Sequence, residues 1–310
     1  MIIEILYGSV DFTINVTSIC LEKCLYNNII YIPKSDGARA MLFTDPLFGT
    51  LKSIFIKNTL TEKLIEYTQD KTIYIDLSDS TSDCPIYTSL DFQQPIDRLK
   101  KIYENINIHF GDMNDEYQEQ LMSSIFLTGN EKILEIGSNI GRNTLIIASI
   151  LHSANNSDLV TLECDRDIYG QLIHNKNLNN LSFFAENSAL SKRKLIQRGW
   201  DTIPSDELLP GYHSVNTIDY YELISKYGIQ FDTLVLDCEG AFYYILLDMP
   251  EILNNINLIL MENDYFNADH KKYVDSILRE KKFNVIYLVD GCGGWGPCEH
   301  NFWEVWLKST

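Results

Sequence analysis

Glu135, Glu163, Asp237 and Glu262 each close a short apolar run in the second part of the chain. The runs are Ile133 to Ile136, Leu159 to Leu162, Thr233 to Leu236 and Asn257 to Met261. Apolar runs of this length fit strands buried on both faces. The first is followed by Gly137, Ser138, Asn139 and Gly141, and then by the helix-forming stretch Thr144 to Leu151. Strand, glycine-rich turn and helix together make a place where backbone passes close to a ligand. Glu163 lies 22 residues after Gly141. An acid at about 20 residues is placed to accept hydrogen bonds from ribose hydroxyls. The pair points to a nucleoside-containing cofactor. The spacing is Gly-x-x-x-Gly rather than Gly-x-Gly-x-x-Gly, so a dinucleotide oxidoreductase is the weaker reading.

The elements that must position these residues alternate. After Glu163 comes a helix, Ile168 to Asn179, then a strand, Leu181 to Ala185, ending at Glu186, Asn187 and Ser188. Lys192 to Thr217 is longer and more polar and reads as an excursion over the site. Tyr220 to Tyr227 and Ala241 to Asp248 are helical, and Ala268 to Lys282 is a charged amphipathic helix. Phe283 to Val289 and Asn301 to Lys308 close the chain as a pair joined by a glycine-rich loop, so they are predicted to be antiparallel. This alternation predicts a parallel sheet covered on both faces.

Residues 1–92 read differently. Short β-rich runs separated by Gly and Pro turns predict a small β-rich or α+β domain, with one helix from Thr17 to Asn27. Lys34 to Arg39 reads as a solvated hairpin tip, with anion binding as its alternative. Residues 93–130 are a linker and helices, and 131–310 carry the motifs.

The chain has 310 residues, a formal net charge of −18 and 45% hydrophobic residues. Such an acidic surface repels phosphate backbones and anionic headgroups, so neither nucleic acid nor a membrane is an expected partner. No apolar stretch approaches the roughly 20 residues of a membrane span. The start lacks a basic, signal-type segment, which predicts a cytoplasmic protein. Seven scattered cysteines do not form a disulfide framework. Cys292, Cys298 and His300 are too few ligands for a zinc site, and no metal is expected.

The motifs, taken together, resemble class I S-adenosylmethionine-dependent methyltransferases, and among them the FkbM family. Glu135-Ile-Gly-Ser-Asn-Ile-Gly141 is similar to that family's acid-x-Gly-Ala-Asn-x-Gly. Glu163-Cys164 stands where the family has Glu-Pro. Asn187-Ser-Ala-Leu190, Val215-Asn-Thr-Ile-Asp219 and Leu236-Asp-Cys-Glu-Gly-Ala241 follow in order, with Phe242 in place of the family's final Glu. The resemblance implies a Rossmann-like sheet, mostly parallel with the last strand antiparallel, behind the N-terminal domain. It implies S-adenosyl-L-methionine as cofactor and an O-methyltransferase whose acceptor is a small molecule or glycan, most readily a sugar hydroxyl. Glu135, Gly137, Ser138, Asn139, Gly141 and Asn143 would hold the methionine part, Glu163 and Cys164 the ribose, and Asn187 and Ser188 the adenine.

Methyl transfer to a hydroxyl needs alignment and a proton acceptor. Asp237 with Glu239 is the favoured base and orienting pair, Asp237 also facing the cofactor. Glu262 and His270 are the further candidates. Tyr243, Tyr244, Tyr265, Phe266, Trp295 and Trp303 could stack on a sugar ring. The rival reading is a methyltransferase-like domain without activity that binds a glycan or a protein partner. The N-terminal domain is the candidate surface for homo-oligomerisation.

Overall fold

The computed structural model describes residues 3–26, 29–77, 86–88, 93–289, 291 and 296–308. Cys84, Cys292 and Trp295 lie outside them. The chain divides into two compact units, Met1–Gln94 and Pro95–Thr310.

Among the described residues the first unit holds two four-stranded antiparallel sheets and the helices Thr17–Lys23 and Asp36–Phe43. Ile3–Gly8 pairs with Thr13–Asn15 on one side and Ser53–Asn58 on the other, and Leu64–Tyr67 completes that sheet. Ile29–Ile32 and Ile73–Asp76 form the centre of the second sheet. Alternation along the first strand sends Ile3, Ile5 and Tyr7 into a core shared with Ile30, Ile32, Ile54 and Ile56. The predicted helix at Thr17 ends at Lys23. A second helix, Asp36–Phe43, replaces the predicted hairpin tip at Lys34 to Arg39. Arg39 explains the difference: it is fully buried and donates to the carbonyl oxygens of Pro33, Tyr67 and Lys71. A guanidinium that is fully buried and donates to three carbonyls is a structural tie out of reach of an outside anion.

The second unit is built on a seven-stranded sheet. Its strands are β1 (Ile133–Ile136), β2 (Leu159–Leu162), β3 (Phe184–Glu186), β4 (Thr233–Leu236), β5 (Leu258–Glu262), β6 (Phe283–Val289) and β7 (Trp303–Lys308). Their order is β3-β2-β1-β4-β5-β7-β6, with β7 alone antiparallel to its neighbours. This is the Rossmann-like sheet with a reversed last strand that the sequence predicts. After a leading helix, Gln93–Tyr103, that enters from the unit boundary, the helices among the described residues are α1 (Tyr117–Phe126), α2 (Arg142–Ser153), α3 (Arg166–Asn179), α4 (Tyr220–Tyr227), α5 (Phe242–Asp248) and α6 (Ala268–Glu280). β1, β2 and β4 are buried at every position, which is why their sequences are largely apolar rather than alternating, with Glu135 and Thr161 the buried polar pair that hydrogen-bonds within the sheet. A core of Leu134, Val160, Leu234, Ile259 and Trp306, with Phe242 and Leu246 of α5, holds the layers together. The excursion is a three-stranded antiparallel sheet of Leu195–Arg198, Asp201–Pro204 and His213–Val215, with the first strand in the middle.

Candidate active site

Register places the acidic residues together. Ile136 pairs with Leu162 and with Leu236, and Leu236 pairs with Met261. Gly137, Glu163, Asp237 and Glu262 therefore leave the sheet along one edge, beside the switch between β1 and β4. Ligands of open α/β sheets bind there.

Each glycine of the turn has a reason. Gly137 has φ +85°, and a Cβ there would lie 1.6 Å from the backbone oxygen of Asp237. Gly141 has φ +93°, and its Cβ would meet Leu172 at 2.5 Å. The close approach at Gly137 is thus to the protein's own β4 end. The N–H groups of the turn are also spoken for. Gly137 and Ser138 donate to Leu162 O, Gly141 to Ser138 O, and Ile140 to the Asn139 side chain. Asn139, itself in a left-handed conformation, donates to Glu163 Oε2 at 3.0 Å.

Glu163 organises this half of the site. Its other oxygen accepts from Asp165 N–H at 2.7 Å. Burial pushes its pKa up to about 7, opposed by those N–H donors. Asn187 donates through Nδ2 to the carbonyl oxygens of Glu163 and Cys164, and Ser188 Oγ donates to Glu186. Cys164 is half-buried, and burial raises its thiol to about 11.

The other half is a narrow cavity at the carboxyl ends of β1, β4 and β5. Gly137, Ser138, Asn143, Glu135, Asp237 and Glu262 of the predicted residues line it. Glu135 is buried, accepts from the Thr144 and Thr161 hydroxyls at 2.6 and 2.7 Å, and is raised to about 7 by burial. Asn143 accepts from Ser123 Oγ at 2.9 Å. Asp237 is held well above the usual carboxylate range by burial, with the charges of Glu116, Glu119, Asp264 and Glu239 adding to it. No donor reaches its carboxylate among the described residues.

Glu239 does not share Asp237's side. β4 ends at Leu236, and Glu239 takes a left-handed φ of +52° that turns it out to solvent, away from the cavity lining. His270, on α6, stacks on Tyr243 with ring centroids 3.8 Å apart and is also outside the lining. Of the predicted aromatics, Tyr265 is core and Phe266 is 92% exposed. Trp303 reaches the site through its indole N–H. Cys298 is buried, its thiol directed at Tyr265 O.

Sequence reasoning missed three groups. Glu116 and Glu119 enter the cavity from the start of α1. Glu116 is bound by Arg142 at 2.8 Å. Glu119 and Glu262 converge on one donor, Trp303 Nε1–H, at 2.7 and 3.2 Å. Burial and the neighbouring Glu119 push Glu262 up to about 12. Asp264 brings an oxygen within 4.8 Å of oxygens on Asp237 and Glu262, close enough for the three to surround one cation. The available signal was α1 itself, which buries Glu119, Gln120, Ser123 and Ser124 in place of an apolar stripe.

The chain matches no protein-family model and no curated protein sequence. Among solved structures it is similar to an O-methyltransferase from Bacillus cereus in complex with SAH. Identity is 13%, coverage is 69% of this chain and 91% of that one, and the TM-score is 0.40. A methyltransferase from Pyrococcus furiosus is 14% identical, with 71% and 99% covered and a TM-score of 0.38. Likenesses this distant carry no argument about ligand or reaction, and the fold class rests on the strand order above.

Proposed function

We propose that the chain is an S-adenosyl-L-methionine-dependent methyltransferase. One observation carries the reading: the glycine turn, Glu163 and Asp237 stand on adjacent strand ends, and an acidic cavity opens between the turn and β4. The residues fit the cofactor. A sulfonium is a cation, and Asp237 offers an unpaired carboxylate beside Gly137. Glu135, Ser138 and Asn143 would hold the amino-acid end. Glu163, fixed by two backbone N–H groups, would face the ribose, with Asn187 and Ser188 one strand further along. When bound, the cofactor supplies an electrophilic methyl group. The protein's part is to orient the acceptor and take its proton.

The FkbM resemblance implies a hydroxyl acceptor on a sugar or glycan. The cavity supports the proton-accepting half of that reading with Asp237, whose carboxylate no donor reaches among the described residues; Glu262, pushed up to about 12, holds its own proton. Its described lining has no aromatic side chain for a sugar ring.

Calorimetric titration with S-adenosylhomocysteine and, separately, NAD tests the proposal. Binding of S-adenosylhomocysteine without binding of NAD is the expected result. The reverse preference, or binding of neither, overturns it.

A further inference from the structure

Two loops at one end of a sheet in the first unit display apolar side chains to solvent. Val10 and Phe12 lie in the turn between Ile3–Gly8 and Thr13–Asn15 and are 81% and 51% exposed. Phe48 and Leu51 lie in the loop ahead of Ser53–Asn58 and are 97% and 70% exposed. Gly8 pairs with Ser53, and that register, continued past its last pair, brings Val10 level with Leu51. Phe12 is held at the same place: a Cβ on Gly8 would lie 2.1 Å from the Phe12 carbonyl oxygen. The two loops are therefore neighbours.

The second loop is tied down from inside. Thr50 N–H donates to Leu47 O at 3.1 Å, closing a turn with Phe48 and Gly49 (φ +78°) at its tip. Lys52, 2% exposed, donates to the carbonyl oxygens of Leu47 and Thr50 at 3.3 and 2.8 Å and is anchored by Asp36 and Asp45. Burying an ammonium costs free energy even when it is paired. Here the buried ammonium fixes a loop whose tip is a phenylalanine in water. A side chain presented on a loop already held in place loses less conformational entropy when it binds.

Area and charge select the occupant. At roughly 150–200 Å² for a whole side chain of this size, the four present about 450–600 Å² when scaled by their exposures. A standard interface takes about 800 Å² from each partner, about 65% of it apolar in homodimers, which is roughly 520 Å². The chain carries a net charge of −18, so two copies repel over most of their surface. Residues 9–12 and 45–51 contain no lysine or arginine, and Asp45 is paired with Lys52, which leaves Asp11 as the loops' other charge. Without bases the loops have no hold on anionic headgroups. They are the place where two copies of this chain meet with little repulsion. We propose that this end of the sheet is a self-association face, docked against its own copy about a two-fold axis as an isologous contact. The inference concerns the first unit and stands apart from the methyltransferase reading.

Sedimentation velocity of the full chain tests this from about 0.1 to 100 µM, which reaches the weak end of affinities for contacts of this size. The expected result is a dimer, or a reversible monomer–dimer equilibrium, with nothing larger. Phe48→Asp and Val10→Asp each place two like charges across the axis and should weaken association at least about thirtyfold, the loss typical of an interface anchor. Leu60→Asp is the control. Leu60 is 66% exposed in the turn beyond Asn58, at the other end of the same sheet, and its substitution should leave association within about threefold of wild type. Each substituted side chain lies in solvent in the single chain, and circular dichroism checks that the variants are folded. A monomer at every concentration overturns the proposal, and binding of that monomer to phosphatidylcholine vesicles would give the loops to a lipid surface instead. Association that continues past the dimer overturns it too. So does a dimer that survives both loop substitutions, or one that Leu60→Asp disrupts equally.

Discussion

At the scale of single residues, Gly137 and Glu163 do two jobs each, and substitutions there separate folding from binding. The Gly137 backbone lies against Asp237 O, so a side chain is excluded by the protein before any ligand arrives. Gly137→Ala adds a clash with backbone to a positive φ, which together cost more than about 2 kcal/mol. The melting temperature should fall by at least about 5 °C, and a cofactor-binding defect with unchanged stability would contradict the geometry. Gly137→Val puts a larger side chain in the same place and is a folding variant for the same reason. Glu163 is the better probe. Glu163→Gln keeps the shape but turns an NH2 toward Asn139 N–H or Asp165 N–H, donor against donor. Losing an interaction of the charged carboxylate costs roughly 1.5–3 kcal/mol. S-adenosylhomocysteine should then bind at least about tenfold more weakly in calorimetry, and a loss below about threefold would reduce Glu163 to a strand-end carboxylate.

At the scale of elements, β1 buries a carboxylate in the middle of the sheet, and that has a pH signature. Glu135 is raised by burial to about 7, against about 4.3 for an unfolded glutamate. A raised folded pKa means that the folded state holds the proton more tightly. The associated stability is complete below about pH 4.3 and is lost as pH rises toward 7. Glu163 works in the same direction over the same window. The melting temperature of the ligand-free protein should fall between pH 5 and pH 7.5. Glu135→Gln, which imitates the protonated form, should flatten part of that slope, and an unchanged slope would show that Glu135 ionises freely. The elements were the legible part of the sequence. Continuous apolar runs marked the parallel strands because burial on both faces erases alternation, and the glycine turn was marked by residues that only its backbone requires. The convergence on Trp303 was not legible, because Glu119 and Glu262 are far apart in the chain and meet only through α1, β5 and β7. Nor was the divergence of Asp237 and Glu239, which depends on one left-handed residue after the strand has ended.

At the scale of the whole molecule, each unit has a core of its own, and the candidate site lies in the second. The core around Ile5, Ile30 and Ile54 draws only on the first unit, and the core around Leu134, Leu234 and Trp306 only on the second. Arg39, which reads in the sequence as an exposed basic loop, closes the first core instead. Lys52 does similar work there, buried and paired with Asp36 and Asp45 at 3.1 and 2.9 Å. No such internal use of charge could be read from residue types alone, because a lysine and an arginine between turn residues look solvated until the strands around them are placed. Every residue of the candidate site, from Glu116 to Trp303, lies in Pro95–Thr310. A core of its own and a complete sheet are the usual conditions for a domain to fold alone. Residues 93–310, produced without the first unit, should therefore unfold cooperatively and bind S-adenosylhomocysteine within about threefold of the full chain, a difference of less than about 0.7 kcal/mol. Circular dichroism melting and calorimetry read the two halves of that expectation. A fragment that folds but binds at least about tenfold more weakly would mean that the first unit completes the cofactor site. The outcome decides whether residues 1–92 should be searched for a partner or for a contribution to catalysis.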